Sequence, residues 1–157
     1  MGELYSVQNK IDLSLEQYQK IIRLSSAQEL SPGDQNILAL TYNNLGKLYM
    51  DLGRFEEARS SLQEAIRLNE EQQSAFYNLG TSLLQLGHPS QAIPYLLRSL
   101  ELSPMNAQTF NNLAVAYLAL QEHEKARQAL QLALKVDASH FEATRNLKWL
   151  NTHYPQP

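Results

Sequence analysis

The sequence contains no cysteine among its 157 residues, and this absence removes several kinds of protein from consideration. Such a chain forms no disulfide framework, carries no cysteine nucleophile and holds no thiolate-bound metal or iron–sulfur cluster. Long apolar runs are also lacking, since stretches such as Leu113–Leu120 fall far short of the roughly 20 residues of a membrane helix. The first residues lack the basic start and apolar run of a secretory signal. We therefore expect no membrane insertion, with a cytoplasmic location as the default.

An excess of positive charge is absent as well. The 13 Lys and Arg are balanced by 16 Asp and Glu, which gives a formal net charge of −3. A nucleic-acid-binding surface needs clustered basic residues, so nucleic acid is not an expected partner. Hydrophobic residues make up 43% and charged residues 18% of the chain, which is the balance of a globular domain and not of a disordered one.

The main positive feature of the sequence is a period of 34 residues. Apolar residues recur every three or four positions within it, as Tyr42, Leu45 and Tyr49 do, which indicates helices. Breakers such as Gly53 and Pro104 separate the helical segments, so each unit is predicted to be two helices joined by a tight turn. The aligned segments are Tyr42–Gly53, Phe76–Gly87 and Phe110–Gln121, followed by Phe55–Leu68, Pro89–Leu102 and His123–Val136.

Small and large residues occupy fixed columns of the repeat. Small side chains at one column let a bulky side chain of the paired helix approach the backbone, so these columns predict the contact between the two helices of each unit. The small columns are Gly46, Gly80 and Ala114, then Ala58, Ala92 and Ala126, then Ala65, Ser99 and Ala133, and a matching large column is Leu62, Leu96 and Leu130.

This pattern of an aromatic residue, Leu-Gly, Tyr and then Ala resembles the tetratricopeptide repeat. The resemblance is best at Tyr42, Leu45, Gly46, Tyr49, Gly53, Phe55, Ala58, Leu62 and Ala65. It implies an all-α, right-handed superhelical array of antiparallel helix pairs, with complete repeats at 39–72, 73–106 and 107–140 and a covering helix at 141–154. We expect one such domain over residues 1–157. The departures are mild: Leu83 replaces Tyr, Gln121 replaces the turn Gly, Glu70 and Ala138 replace Pro, and Pro94 is expected to bend its helix without breaking it.

Residues 1–38 fit the same columns with about ten extra residues. Gly2, Tyr5, Ser14, Tyr18, Ile21 and Leu24 supply the matches. Ser31–Asp34 is predicted to be a turn, followed by a longer first helix at Asn36–Leu52. This spacing resembles the repeats of kinesin light chains. Met1 then lies inside the first helix of a truncated repeat, either because the chain was cut there or because it begins with half a repeat that leaves an apolar face uncovered.

No catalytic or metal-binding constellation is found in the sequence. His88, His123, His140 and His153 lie in turns or near helix ends, without the spacing of a metal site, and are expected to be solvated. No glycine-rich loop could cradle a phosphate, because the Leu-Gly pairs lie within helices. We therefore expect no enzyme activity, no cofactor and no metal.

Four asparagines are the one constellation that packing does not require. Asn44, Asn78, Asn112 and Asn146 are spaced by 34 residues, one position before a core leucine. In tetratricopeptide arrays the first helices line a concave groove, and a primary amide can both donate to and accept from a peptide backbone. The ladder resembles that in the repeat domain of O-linked N-acetylglucosamine transferase. The alternative is that asparagine is common in this column and bonds locally at the helix surface.

The predicted partner-binding groove contains this ladder and its neighbours. Only Lys47 and Arg145 are basic groove residues, which disfavours the clamp with which chaperone-tail-binding repeats hold a terminal carboxylate. Trp149 either anchors a ligand or folds onto the end of the array against Tyr154. The predicted residues are Asn43, Asn44, Lys47, Tyr77, Asn78, Thr81, Asn111, Asn112, Arg145, Asn146 and Trp149.

These features predict a non-catalytic adaptor that binds a partner peptide or helix in the groove. Two alternatives remain open at this point. The exposed N-terminal half repeat could make the protein a self-assembling structural scaffold, or the chain could be a regulatory fragment of a larger assembly factor or enzyme.

Overall fold

The computed structural model describes residues 2–25 and 30–155, with the side chains of residues 2–9 left undescribed. All regular elements in these ranges are α-helices, so the expected all-α class is confirmed. The chain divides into two compact units at Glu70 and Glu71. The first unit contains α1 (Gly2–Ser25), α2 (Pro32–Asp51) and α3 (Phe55–Leu68). The second contains α4 (Gln73–Gln85), α5 (Pro89–Leu102), α6 (Ala107–Ala119), α7 (His123–Val136) and α8 (Phe141–His153).

In the first unit, α2 packs against both α1 and α3. The contact with α3 depends on Gly46, because a Cβ atom at this position would lie 2.6 Å from Leu62 Cγ. Leu62 itself has no exposed surface. The expected approach of a small column to a large one is therefore confirmed in this helix pair.

The N-terminal region differs from expectation in two ways. Ser31–Asp34 is not a turn but the start of α2: Ser31 Oγ accepts from the Asp34 backbone N–H at 3.2 Å, with Pro32 as the first helical residue. Serine followed by proline is a helix-start signal as well as a turn signal, and the N-cap reading applies here. Gly2 and Ser14 match the columns of Gly46 and Ala58, which lie on two different helices, but residues 2–25 form one continuous helix, because no glycine or proline interrupts residues 3–25. Met1, residues 26–29 within the expected insertion, and the Tyr5 side chain lie outside the described part of the chain.

In the second unit, consecutive helices pack in order from α4 to α8, and α4 also contacts α6. A Cβ atom at Gly80 would lie 2.7 Å from both Leu96 Cγ and Leu96 Cδ2. In the next pair, Ala114 and Leu130 occupy the same columns and have no exposed surface. α5 continues through Pro94, as predicted.

The turns inside the helix pairs share one backbone conformation. Gly53, Gly87 and Gln121 have φ angles of 71°, 77° and 60°, in the left-handed region. In each turn the next residue donates to the carbonyl five positions earlier, as His88 N–H does to Leu83 O at 2.9 Å and Glu122 N–H to Tyr117 O at 2.9 Å. This is the Schellman helix ending, which suits glycine.

The single-domain organisation and the repeat bounds stay predictions.

Candidate functional site

The polar residues of α2 form the candidate surface of the first unit. Asn43 is buried, with 7% of its surface exposed, whereas Asn44 and Lys47 are exposed. Asn44 and Lys47 line a pocket of about 360 Å³, together with Asp51 and the α1 residues Ser14 and Tyr18. This pocket combines an amide, an ammonium and a carboxylate on one open surface, so it can bind polar groups of either sign.

In the second unit, Asn112 joins α6 to α4 through its side-chain amide. Asn112 Nδ2 donates to Thr81 Oγ1 at 2.9 Å, and Tyr77 OH lies 3.5 Å from the same nitrogen. Gln108 Nε2, one helical turn earlier, donates to Asn112 Oδ1 at 3.2 Å. Thr81 Oγ1 in turn donates to the Tyr77 carbonyl at 2.9 Å. The amide is therefore oriented by contacts within the protein before any ligand arrives.

The same kind of link joins α6 to α8. Asn146 Nδ2 donates to Asn111 Oδ1 at 3.0 Å. Asn111 has 4% of its surface exposed and Asn146 is half-buried. One further acceptor site remains on a carbonyl oxygen that accepts a single hydrogen bond, so such an amide can still meet a peptide N–H.

His140 extends this network to the start of α8. Its Nδ1 accepts from the Ala143 backbone N–H at 3.2 Å and caps the helix. A neutral ring then has its proton on Nε2, which donates to Gln108 Oε1 at 2.9 Å. The ring is only 10% exposed. The expectation that all four histidines are solvated is therefore wrong for His140, because its ring nitrogens both have partners in the protein.

Burial separates the four members of the asparagine ladder. Asn44 is exposed and Asn146 half-buried, whereas Asn78 and Asn112 each have 9% of their surface exposed. The sequence position one residue before the core leucine predicted side chains beside the buried face. Asn78 and Asn112 lie deeper than that, and for Asn112 the cause is the contact of its side chain with Thr81 and Tyr77 of α4. The expected ligand role of the ladder stays a prediction.

Two of the three predicted residues of α8, Arg145 and Trp149, have ring contacts. Trp149 is 47% exposed, stacks on His153 with centroids 4.7 Å apart, and lies 6.1 Å from the Tyr154 ring. Of the two expectations for Trp149, the contact with Tyr154 is therefore observed. Arg145 is exposed, with its guanidinium carbon 5.9 Å from the centre of the Phe141 ring.

A buried arginine that sequence reasoning missed holds the end of α8. Arg127 is 4% exposed, and its guanidinium donates to Asn151 Oδ1 and, at 2.7 Å, to the Tyr154 carbonyl. Tyr154 also stacks on His123, with centroids 3.6 Å apart. One signal in the sequence could have indicated that this column is buried, because the preceding repeat has Ile93 there. A single charged residue on a helix is nevertheless expected to be solvated.

The described residues contain neither a metal-binding cluster nor a helix that could cross a membrane. Within residues 2–25 and 30–155, no group of three or more His, Asp or Glu side chains is placed to hold a metal ion. No described helix combines the length and the apolar character needed to cross a membrane.

Paired antiparallel helices at a 34-residue period, with polar first helices, define a helical repeat protein of the kind used for protein interaction. Family models described as tetratricopeptide repeat match residues 1–71, 38–105 and 77–143. The chain belongs to the tetratricopeptide repeat family, whose members are interaction modules.

Solved structures agree with this fold. MamA is 24% identical, with a TM-score of 0.81 over 98% of this chain and 84% of that one. YrrB, described as having an unusual peptide-binding site, is 24% identical, with a TM-score of 0.76 over 96% of this chain and 73% of that one. The first repeat domain of Spaghetti (RPAP3), bound to the HSP90 peptide SRMEEVD, is 19% identical, with a TM-score of 0.74 over 77% of this chain and 96% of that one. No curated protein matches the chain in sequence.

Proposed function

We propose that the protein is a non-catalytic adaptor that binds an extended or helical partner segment on the polar sides of its first helices. The observation that carries this proposal is the set of oriented amides in the second unit, where Asn112 and Asn146 are held by Thr81 and Asn111. Amides fixed in this way lose little conformational entropy when a ligand binds. A peptide backbone offers the alternating N–H and C=O groups that primary amides recognise.

In the second unit, the proposed surface consists of Tyr77, Asn78, Thr81, Asn111, Asn112, Arg145, Asn146 and Trp149, of which Arg145 and Trp149 are the exposed side chains. In the first unit, Asn43, Asn44 and Lys47 supply the corresponding surface. Backbone recognition by amides makes affinity largely independent of the partner sequence, so exposed residues such as Arg145, Trp149 and Lys47 would determine specificity.

A comparison of binding and stability in the same variants tests the proposal. The probe is a peptide selected from a random library against the intact chain, and the variant is Asn78→Ala combined with Asn112→Ala. At roughly 0.5–1.5 kcal/mol per hydrogen bond, the double variant should weaken peptide binding by about tenfold to a hundredfold in calorimetry. Because Asn112 also bonds Thr81, some loss of stability is expected as well.

The matched control is Ala133→Gly, a buried position of α7 that lowers helix stability by about 1 kcal/mol without changing an amide of the surface. Weakened binding in the asparagine variant alone supports the proposal. Equal binding in both variants would leave the asparagines as structural residues and would contradict it.

A second candidate function, self-assembly, is favoured by one observation in the first unit. Leu13, Ile21 and Leu24 on α1 are 50%, 37% and 65% exposed. Their spacing of eight and three residues places them on one side of the helix. The test is light scattering over a concentration series: a mass that rises with concentration, and no longer does so after Leu13→Lys with Leu24→Lys, supports a scaffold. A constant mass contradicts it.

A further inference from the structure

The second unit contains a cleft that takes no part in the proposed peptide surface. It lies between α6 and α7, has a volume of about 300 Å³, and its walls are largely apolar. Phe110, Leu113 and Tyr117 line it from α6, and Ala129 and Leu132 from α7, with Lys125 at one side. This volume is at the small end for ligand pockets, so it suits a single side chain better than a folded element.

The preceding helix pair shows what fills this position when the chain supplies it. Tyr95 on α5 lies 34 residues before Ala129, in the same column of the repeat. Its ring packs against Phe76 of α4, with centroids 6.4 Å apart and an interplanar angle of 33°. Phe76 is 7% exposed, whereas its counterpart Phe110 is only half-buried. The α6–α7 pair therefore keeps the aromatic residue on its first helix, Phe110, but has Ala129 in place of the ring that would cover it.

The edge of the cleft differs between the two pairs in the same sense. Arg98 lies with its guanidinium carbon 6.0 Å from the centre of the Phe76 ring, and Leu132 occupies its column in α7. Leu132 is 44% exposed. The α6–α7 pair thus has the apolar Leu132 where the preceding pair has the charged Arg98. This leaves more apolar surface in contact with water next to Phe110.

We propose that the cleft between α6 and α7 is a second binding site, which takes one tyrosine or phenylalanine side chain presented by a partner segment. The incoming ring would lie where Tyr95 lies in the preceding pair, against Phe110 and between Leu113 and Leu132. A ring in this place gains an aromatic contact and removes apolar surface of both molecules from water. None of the cleft residues belongs to the proposed peptide surface, so the two proposals succeed or fail independently.

The experiment uses the intact chain with ¹³C-labelled alanine and leucine methyl groups. The probe is N-acetyl-L-tyrosinamide, and N-acetyl-L-leucinamide is the aliphatic comparison. The tyrosine probe should shift the Ala129 and Leu132 methyl signals saturably, with a dissociation constant at least tenfold lower than that of the leucine probe. Ala129→Tyr places a ring in the cleft from within, and it should abolish the saturable shift at Leu132.

The repeat also supplies the reciprocal variant. Tyr95→Ala opens the corresponding position between α4 and α5, so the tyrosine probe should produce a new saturable shift at the methyl group of position 95. This variant tests the proposal even if Ala129→Tyr fails to fold, which circular dichroism would reveal. Leu132→Arg introduces the residue type that Arg98 provides in the preceding pair. It should weaken binding of the tyrosine probe without closing the cleft.

Three results would overturn the proposal. The first is the absence of any saturable shift at Ala129 up to the solubility limit of the tyrosine probe. The second is an equal response to the leucine probe, which would show that the cleft does not select rings. The third is a concentration-dependent increase in mass by light scattering that Ala129→Tyr removes, because the cleft would then be an interface with a second copy of the chain.

Discussion

The α4–α5 and α6–α7 pairs of the second unit have the same design and solve its local problems with different residues. Gly80 lets Leu96 reach the backbone of α4, whereas the same two columns hold Ala114 and Leu130 in the next pair, both without exposed surface. Gly87 adopts its left-handed turn freely, while Gln121 adopts the same conformation with a side chain. The period therefore specifies the backbone, and each copy tolerates some substitutions at the cost of local strain or an open space.

The largest expected difference concerns the small column. Gly80→Leu should lower the free energy of unfolding by about 1–3 kcal/mol, because even a Cβ atom would lie 2.7 Å from Leu96 Cγ. Ala126→Leu should have a similar effect in the α6–α7 pair. Urea denaturation followed by circular dichroism measures both.

Gly33→Ala is the control for the glycine change. The nearest atom to a Cβ at Gly33 is Ser31 Oγ at 3.8 Å, which is ordinary contact, so this variant should keep the stability of the parent chain. An unchanged urea midpoint for Gly80→Leu would refute the close approach of α4 and α5.

The N-cap residues of α4 and α6 also differ between the two helix pairs, so they can be exchanged by mutation. Asn106 caps α6, since its Oδ1 accepts from the Thr109 backbone N–H at 2.9 Å. Gln72 stands at the same column before α4, makes no cap, and its buried Oε1 and Nε2 have no hydrogen-bond partner among the described residues. Asn106→Gln should therefore lower the free energy of unfolding by about 1 kcal/mol, and Gln72→Asn should raise it by a similar or smaller amount. In thermal unfolding, the midpoint should fall in Asn106→Gln and rise in Gln72→Asn. The variant that carries both changes is the check.

The turns offer a third exchange with a smaller effect. Gln121→Gly should raise the free energy of unfolding by about 0.5–1 kcal/mol, because glycine adopts the positive φ without the steric cost of a side chain. Gly87→Gln should lower it by a similar amount. Chemical denaturation of both variants tests the pair, and a loss of stability in Gln121→Gly would mean that its side chain makes a compensating contact.

The smallest expected difference is an acid dependence at the ends of α5 and α7. Hydrogen bonds from Ser139, donated by Oγ at 2.6 Å and by the backbone N–H at 2.9 Å, lower the pKa of the Asp137 carboxyl, whereas Ser103 holds this column after α5. A carboxyl with a lowered pKa in the folded state stabilises the fold above the unfolded pKa of about 4 and loses this contribution as the pH falls through its folded pKa.

Ser139→Ala should therefore reduce the loss of stability on acidification. The measurement is the urea midpoint at about pH 6 and at successive values below about pH 4 in the parent and the variant, because a carboxyl with a lowered pKa becomes protonated in that acidic range. An identical acid dependence in the two proteins would rule out the Ser139 contacts as the cause.

Much of this fold follows from the sequence, because the period repeats each signal three times. The columns of small and large residues predicted which side chains would approach each other, and the structure confirms this for Gly46 with Leu62 and for Gly80 with Leu96. Single-copy features were harder to predict. Ser31–Asp34 contains residues that suit both a turn and a helix start, and local sequence does not decide between them.

The candidate site was predicted less completely than the fold. Spacing placed Asn78 and Asn112 on the first helices but did not reveal that only 9% of the surface of each is exposed. His140 was expected to be solvated, and no role was predicted for Arg127. In the structure His140 bonds Gln108, 32 residues away in the chain, and Arg127 bonds Asn151, 24 residues away. Such bonds depend on the packing of whole helices, which a periodic pattern does not specify.

By itself, the sequence determined the helices, their pairing and the family, because apolar periodicity and the positions of small residues are properties of each repeat. Only the tertiary structure decided which polar side chains are buried, which amides are already bonded and which cleft is left open. The missing ring opposite Phe110 illustrates the difference. Alanine at position 129 is an unremarkable helical residue in the sequence, and it becomes an opening only when α6 and α7 are packed against each other.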